Sequence, residues 1–300
     1  MISYGVVAHG GVGTSKRLSG GCKIACQKAL TLLEKGGQAT EAAIEAVRVL
    51  EDDGRFNAGS GSTLRLDGKT VEMDASVMDS QGRLGIVIAV QDVKNPVLLA
   101  RAIIDTPHVA LAGPGATILA RRAGLDRALP VSERALKRYD KTRRSIKEGR
   151  LRKGDTRWKE TDIHRVWNFE LPYEHVFPLD TVGAVALDKA GNLAVASSTG
   201  GASPMMLGRV GDTAMAGCGF YAGPAAALAA TGIGEEIIRK MLAKTVYDLV
   251  CDGQEIDMAC EEGLHMFPPA VPIGIIALSK AGFAIRANRQ MAVYNLIKEA

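Results

Sequence analysis

The stretch Asp180-Thr181-Val182-Gly183-Ala184-Val185-Ala186-Leu187-Asp188 decides how this chain is read. It follows the most charged segment of the sequence, and after Thr181 small and apolar residues alternate as in a buried strand. Lys189-Ala190-Gly191-Asn192 has turn chemistry, because Gly and Asn tolerate positive φ. A second strand over 193–197 leads into Ser198-Thr199-Gly200-Gly201. The two strands predict one core β-hairpin, and antiparallel pairing about its turn brings Thr199 back beside Thr181.

Outward from the hairpin, the charge is unevenly placed. Residues 133–170 carry 13 Lys+Arg against 7 Asp+Glu, while the rest of the chain carries 24 against 26. The net charge of +4 therefore belongs to one segment, and the body is close to neutral. That argues against a nucleic-acid protein with a basic face, although a basic arm touching RNA stays open as an alternative. Residues 133–150 read as a charged helical arm, and 149–178, with Trp158 and Trp167 standing singly, as a mobile linker.

The 300 residues are 47% hydrophobic and 23% charged, with 34 glycines, a composition suited to a globular core of small side chains. The first residues lack the cationic flank and long apolar run of a signal peptide. The five cysteines are odd in number and match neither paired zinc spacing nor a disulfide scaffold. The expectation is a cytoplasmic protein with reduced thiols.

Toward the N-terminus, 1–8 reads as a core strand ending in a glycine turn at His9-Gly10-Gly11. Helices follow over 20–34 and from an N-cap at Thr40 to Leu50. Strands are expected at 70–78, 84–91 and 109–111, with helices from Pro96 through Ile103 and over 116–123. Toward the C-terminus, 213–221 and 225–230 read as strands, 234–251 and 256–266 as helices, and 273–278 and 283–288 as the last hairpin. Helices in consecutive pairs and strands in hairpins suggest helix layers over two stacked sheets rather than a βαβ parallel sheet. By itself the pattern establishes only a layered α+β chain.

A mid-chain threonine hydroxyl is a weak nucleophile, and no base is obvious. The histidines at 9, 108, 164, 175 and 265 are scattered, and no Gly-x-Ser-x-Gly elbow accompanies His-Gly-Gly. Gly68-Lys69-Thr70 lacks the glycine five positions earlier that a phosphate loop needs. Asp52 and Asp53 have no third ligand at metal spacing.

Several blocks nevertheless run in one order along the chain. They are His-Gly-Gly (9–11), Phe-Asn-Ala-Gly-Ser-Gly-Ser (56–62), Glu-Met-Asp-Ala-Ser (72–76) and Asp-Thr-Val-Gly-Ala-Val-Ala-Leu-Asp (180–188). Ser-Thr-Gly-Gly (198–201), Gly-Arg-Val-Gly-Asp (208–212) and Thr-Gly-Ile-Gly-Glu (231–235) complete the set. With them the chain resembles the threonine-dependent N-terminal-nucleophile (Ntn) hydrolases of the plant-type asparaginase and isoaspartyl peptidase family.

The resemblance implies a four-layer αββα sandwich with two stacked, mainly antiparallel sheets. It implies self-cleavage between Asp180 and Thr181, which divides the sandwich into an α chain, 1–180, and a β chain, 181–300. The freed α-amine, with a reference pKa of about 7.7–8.0, then accepts the hydroxyl proton of Thr181, the nucleophile. Thr199 hydrogen-bonds that hydroxyl, and Thr231 with the Gly232 N–H forms the oxyanion hole. Arg209 presents its planar fork to a substrate α-carboxylate, and Asp212 takes the α-ammonium. Asn57 is implied to reach the threonine from a second subunit, in a dimer of cleaved αβ pairs. Backbone carbonyls near Leu50 to Asn57 are implied to hold a structural sodium ion, with no cofactor required for chemistry. The substrates implied are L-asparagine and β-aspartyl dipeptides. His9, Glu72 and Asp74 are read as structural. Asp180 departs from the glycine usual before the nucleophile and is closer to glycosylasparaginases and threonine aspartases, which remain alternatives, while the N-terminal blocks favour the asparaginase reading.

Overall fold

The alternation in the hairpin sets the layers. The computed structural model describes residues 1–65, 67–128, 131–133, 135–137, 139–140, 181–202 and 205–299. Residues 141–180, with the linker, Trp158, Trp167 and Asp180, lie outside them. Strands β5 (Val182–Leu187) and β6 (Leu193–Thr199) pair antiparallel from Val182↔Ser198 to Leu187↔Leu193, the expected register. With β1 (Ile2–Val12), β2 (Met73–Asp79), β3 (Leu84–Val90), β4 (Ala110–Ala112) and β11 (Met291–Glu299) they form a seven-stranded sheet, in the order β11-β1-β5-β6-β2-β3-β4. Only the β3–β4 pairing in it is parallel. A four-stranded antiparallel sheet takes the order β10-β9-β8-β7, from β7 (Phe220–Ala222), β8 (Ala227–Gly232), β9 (Ile273–Leu278) and β10 (Phe283–Ala287).

Side chains from successive positions go to different layers. Val182, Ala184 and Ala186 join one buried cluster with helices α1 (Ser19–Glu34), α2 (Ala39–Asp52), α3 (Pro96–Ile104) and α4 (Gly113–Arg122). Val185, Leu187, Leu193 and Val195 instead meet Phe220, Ala229, Ile276 and Leu278 between the sheets. On the far side of the small sheet, Leu228, Ala230 and Ile275 pack against α5 (Gly234–Lys240), α6 (Leu242–Cys251) and α7 (Ile256–His265). Three apolar layers thus separate four layers of backbone, an α+β Ntn-hydrolase sandwich as expected. Each fully buried Val or Leu in them contributes about 1.5–3 kcal/mol, which small residues supplement by letting backbones approach.

Some elements differ from the expectation. β1 does not stop at a glycine turn but continues through Gly10 and Gly11, with a register shift between His9 and Val12. Its glycines serve close approach: a Cβ on Gly10 would stand 2.2 Å from the Phe56 ring. Thr40 is not an N-cap; α2 starts after Gln38, and the Thr40 hydroxyl donates to Asp79 at 3.1 Å. Residues 213–221 are not one strand, since Asp212–Ala214 winds as a 3-10 turn, Ala216 makes one isolated bridge to Phe220, and the strand is Phe220–Ala222. The helix expected over 234–251 is two, parted where Met241 adopts φ 48° and ψ 46°. Met291–Glu299 adds a strand beyond those expected, running antiparallel along β1.

Among the described residues no helix is long and apolar enough to cross a membrane. All five cysteines are free thiols, four of them buried.

Candidate active site

Thr181 stands at the entrance to β5, an interior strand of the large sheet. Its hydroxyl donates to Thr199 Oγ1 at 3.3 Å and lies 3.5 Å from Thr213 Oγ1, and all three side chains are buried. Thr199 Oγ1 also accepts the Gly201 N–H at 3.0 Å, which fixes its direction. Thr213 was not singled out in the sequence. Its adjacency to Asp212 was the one available signal, and only the 3-10 turn brings it to Thr181.

The other sheet carries the two residues expected to form the oxyanion hole. Thr231 is fully buried near the end of β8, and its Oγ1 accepts the Val12 N–H at 3.3 Å, tying the end of β1 to the small sheet. Gly232 has φ +156°, and a Cβ there would stand 2.4 Å from Pro272 O, so only glycine fits.

His9 lies on β1 opposite Gly183 and is fully buried. Its Nδ1 accepts the Gly11 N–H at 3.1 Å, which assigns the proton to Nε2. Nε2 lies against the Thr181 backbone without meeting hydrogen-bond geometry. Burial lowers the imidazole's pKa to about 3, the Thr181 backbone opposing it weakly. A neutral imidazole of that basicity is no general base near pH 7, so His9 is more than a turn residue but does not activate Thr181.

Arg209 has one edge of its guanidinium paired within the protein. Its Nε and Nη2 each donate to Glu235, both at 2.9 Å, a bidentate pair that occupies one edge of the guanidinium. Nη1 faces Gly211, where a Cβ would stand 2.7 Å away. Asp212 is buried, and its Oδ2 has no hydrogen-bond partner. Burial raises its pKa to about 7; Arg209 opposes this, while Glu235 and Asp74 add to it. An orphaned buried carboxylate oxygen beside an arginine is suited to an ammonium ligand.

Glu72 and Asp74 do more than shape a core edge. Glu72 accepts the Gly208 N–H at 2.9 Å, and Asp74 accepts the Gly211 N–H at 3.5 Å and the Ala89 N–H at 2.8 Å. Together they hold the loop carrying Arg209 and Asp212. Arg65, 1% exposed, donates to Gly200 O at 3.0 Å and to Glu72 O at 2.8 Å, joining the start of β2 to the end of β6. Burial pushes its pKa down to about 10, the nearby Glu72 opposing it. No motif pointed to Arg65.

Asn57 is bonded to the segment after β6 of its own chain. Its Nδ2 donates to Gly201 O at 2.7 Å, its Oδ1 accepts the Thr63 N–H at 3.0 Å, and its carbonyl accepts the Gly200 N–H at 2.9 Å. The loop before it folds tightly: Gly54 O and Phe56 O would lie 2.8 and 1.9 Å from a Cβ on Gly61. Among the described residues no group of three or more His, Cys, Asp or Glu is arranged to hold a metal.

The sequence model of the family described as Asparaginase matches residues 3–299. The chain belongs to this asparaginase family. It is 39% identical to a plant-type L-asparaginase of Pyrobaculum calidifontis, over 87% of this chain and 84% of that one. It is 36% identical to a plant-type L-asparaginase of Thermococcus kodakarensis, over 98% and 96%. An isoaspartyl peptidase/L-asparaginase of Xenopus laevis is also 36% identical, over 92% of this asparaginase-family chain and 86% of its own.

Proposed function

We propose that this chain is an amidohydrolase of L-asparagine and β-aspartyl dipeptides that cuts itself between Asp180 and Thr181 and then uses Thr181 as its nucleophile. The observation that carries this is the Thr181–Thr199–Thr213 hydroxyl cluster, set near a buried carboxylate with an orphaned oxygen and an arginine. In self-cleavage the Thr181 hydroxyl attacks the Asp180 carbonyl, the Asp180–Thr181 amide becomes an ester, and water hydrolyses it to a free carboxylate and amine. In turnover the Thr181 amine takes the hydroxyl proton and the oxygen attacks the substrate's β-carbonyl. The proton goes to the leaving amine, and water releases aspartate from the acyl-enzyme. With His9 held neutral and weakly basic, the amine is the base that remains at Thr181. Thr231 and the Gly232 N–H stabilise the oxyanion, where loss of one donor typically costs about 2.7–4 kcal/mol of barrier.

Arg209, through its Nη1 side, takes the substrate α-carboxylate and Asp212 the α-ammonium, which leaves the β-carbonyl over Thr181 and the leaving group outward. Backbone carbonyls near Leu50 to Asn57 would hold a structural sodium ion, whose contribution is to fix the Asn57 loop. We further propose a dimer of cleaved αβ pairs and a cytoplasmic location, the latter consistent with five free thiols.

The intact mass of purified protein after incubation tests the first half: two chains, of 180 and 120 residues, are expected, and one uncut chain from Thr181→Ala. Hydrolysis of asparagine and of α- and β-linked aspartyl dipeptides tests the second. An uncut wild type that hydrolyses asparagine at full rate overturns the amine-as-base mechanism, and equal turnover of α- and β-linked dipeptides overturns the assignment of Arg209 and Asp212.

A further inference from the structure

Glu235 ends the Thr-Gly-Ile-Gly-Glu block and sits in the first turn of α5, with its side chain part-exposed. It spends both carboxylate oxygens on Arg209, each at 2.9 Å. For orientation alone the contact is expensive, because it occupies donors that a carboxylate ligand wants. The charge around it is also unbalanced. Arg65 and Arg209 face Glu72, Asp74, Asp212 and Glu235 in one electrostatically linked group, in which the acids outnumber the arginines even while Asp212, with its pKa raised to about 7, holds its proton. The recognition site thus lies in a negative field, although an arginine is at its centre.

Such a field discriminates among ligands that all carry a carboxylate. A zwitterion, as asparagine is, brings an ammonium to the orphaned Asp212 Oδ2 along with its carboxylate and enters without net charge. An anion without the ammonium meets an arginine already neutralised by Glu235 and is repelled by the remaining acids. The acidic product, aspartate, carries one negative charge more than the substrate and is disfavoured for the same reason.

We propose that Glu235 is a specificity-determining positioning residue: by neutralising Arg209 it makes the site select zwitterionic aspartyl ends and release anions, including the enzyme's own product. This rests on the substrate class proposed above, but its central measurement is binding and does not need turnover.

The test compares wild type, Glu235→Gln and Glu235→Asp, each first checked by intact mass for complete self-cleavage. Titration calorimetry measures succinate and L-aspartate affinity, and steady-state kinetics give KM for asparagine. Glu235→Gln is expected to bind both anions at least about fivefold more tightly at low salt, with less gain at high salt, while KM for asparagine changes less. Glu235→Asp keeps the charge and is expected to keep the wild-type ratio of anion to asparagine affinity. If Glu235→Gln weakens succinate, aspartate and asparagine alike, Glu235 only orients Arg209 and the inference falls. Unchanged anion affinity in Glu235→Gln also overturns it. A wild type that binds aspartate but hydrolyses neither asparagine nor β-aspartyl dipeptides sinks the substrate proposal instead, and leaves the anion comparison to judge Glu235.

Discussion

Asp212 trades stability for recognition, and pH exposes the trade. Its pKa is raised by burial from the ordinary 3.8 to about 7, so between those values the folded chain holds a proton that the unfolded chain has released. The stability it contributes is fully present below the unfolded value and is lost as pH rises through about 7. Recognition runs the other way, because an ammonium ligand needs the ionised carboxylate. KM for asparagine should therefore fall as pH rises from about 6 to about 8. Asp212→Asn should lose this limb and at least about a hundredfold in kcat/KM, yet be more stable than wild type at pH 8 by about 1–2 kcal/mol. Thermal melts at two pH values and a KM profile check both halves; a wild-type KM independent of pH there would remove Asp212 from ammonium binding. Thr213 makes a second residue-scale case. Thr213→Val keeps the shape and removes the hydroxyl 3.5 Å from Thr181, so kcat should drop by about tenfold with the melting temperature nearly unchanged. A full-rate Thr213→Val would make that hydroxyl a bystander.

At the scale of elements, the sequence was most legible where burial is symmetric and turns are punctuated. The β5–β6 hairpin alternates cleanly and closes on Gly191, which has φ +83°, so its register and the meeting of Thr181 with Thr199 followed from residue types alone. β11 was not legible because it is an edge strand whose residues from Val293 on are half-buried or exposed, which blurs the alternation. The break at Met241 carries no Gly or Pro, so nothing in the residue types marks it. The same limit explains the site: motifs located Thr199, Thr231, Arg209 and Asp212, but Thr213, Arg65 and the grip of Glu235 on Arg209 depend on long-range packing. Gly183 shows how a small strand residue can matter. A Cβ there would stand 2.5 Å from His9 Nε2 and 3.0 Å from Ala229 Cβ, two residues from the nucleophile. Gly183→Ala should cost about 1–3 kcal/mol and slow self-cleavage as the entrance to β5 shifts. Gel densitometry of cleaved against uncut chain during incubation reads this directly, and wild-type cleavage kinetics would show that the backbone has room to yield.

The whole molecule divides the chemistry between its two sheets. Thr181 and Thr199 belong to the large sheet, Thr231 and Gly232 to the small one, and the loop with Arg209 and Asp212 is held by Glu72 and Asp74 from the edge of β2. Catalytic alignment therefore depends on the spacing of the sheets, normally about 10 Å, and that spacing is set by the side chains between them. Ala229 lies in this layer, directly against the Gly183 backbone, whereas Ala277 is equally buried but faces the helices on the far side of the small sheet. The two alanines permit a matched comparison. Ala229→Leu and Ala277→Leu overpack the core by the same volume, and each should cost about 1–3 kcal/mol in chemical denaturation. Only Ala229→Leu wedges the nucleophile's sheet away from the oxyanion side, so it alone should lower kcat by about a hundredfold, the penalty of displacing reacting groups by roughly 1 Å. Ala277→Leu should keep kcat within about threefold of wild type, because helices α6 and α7 can shift without moving Thr231 against Thr181. Equal losses of kcat in both variants would mean that stability, not the distance between the sheets, governs the rate.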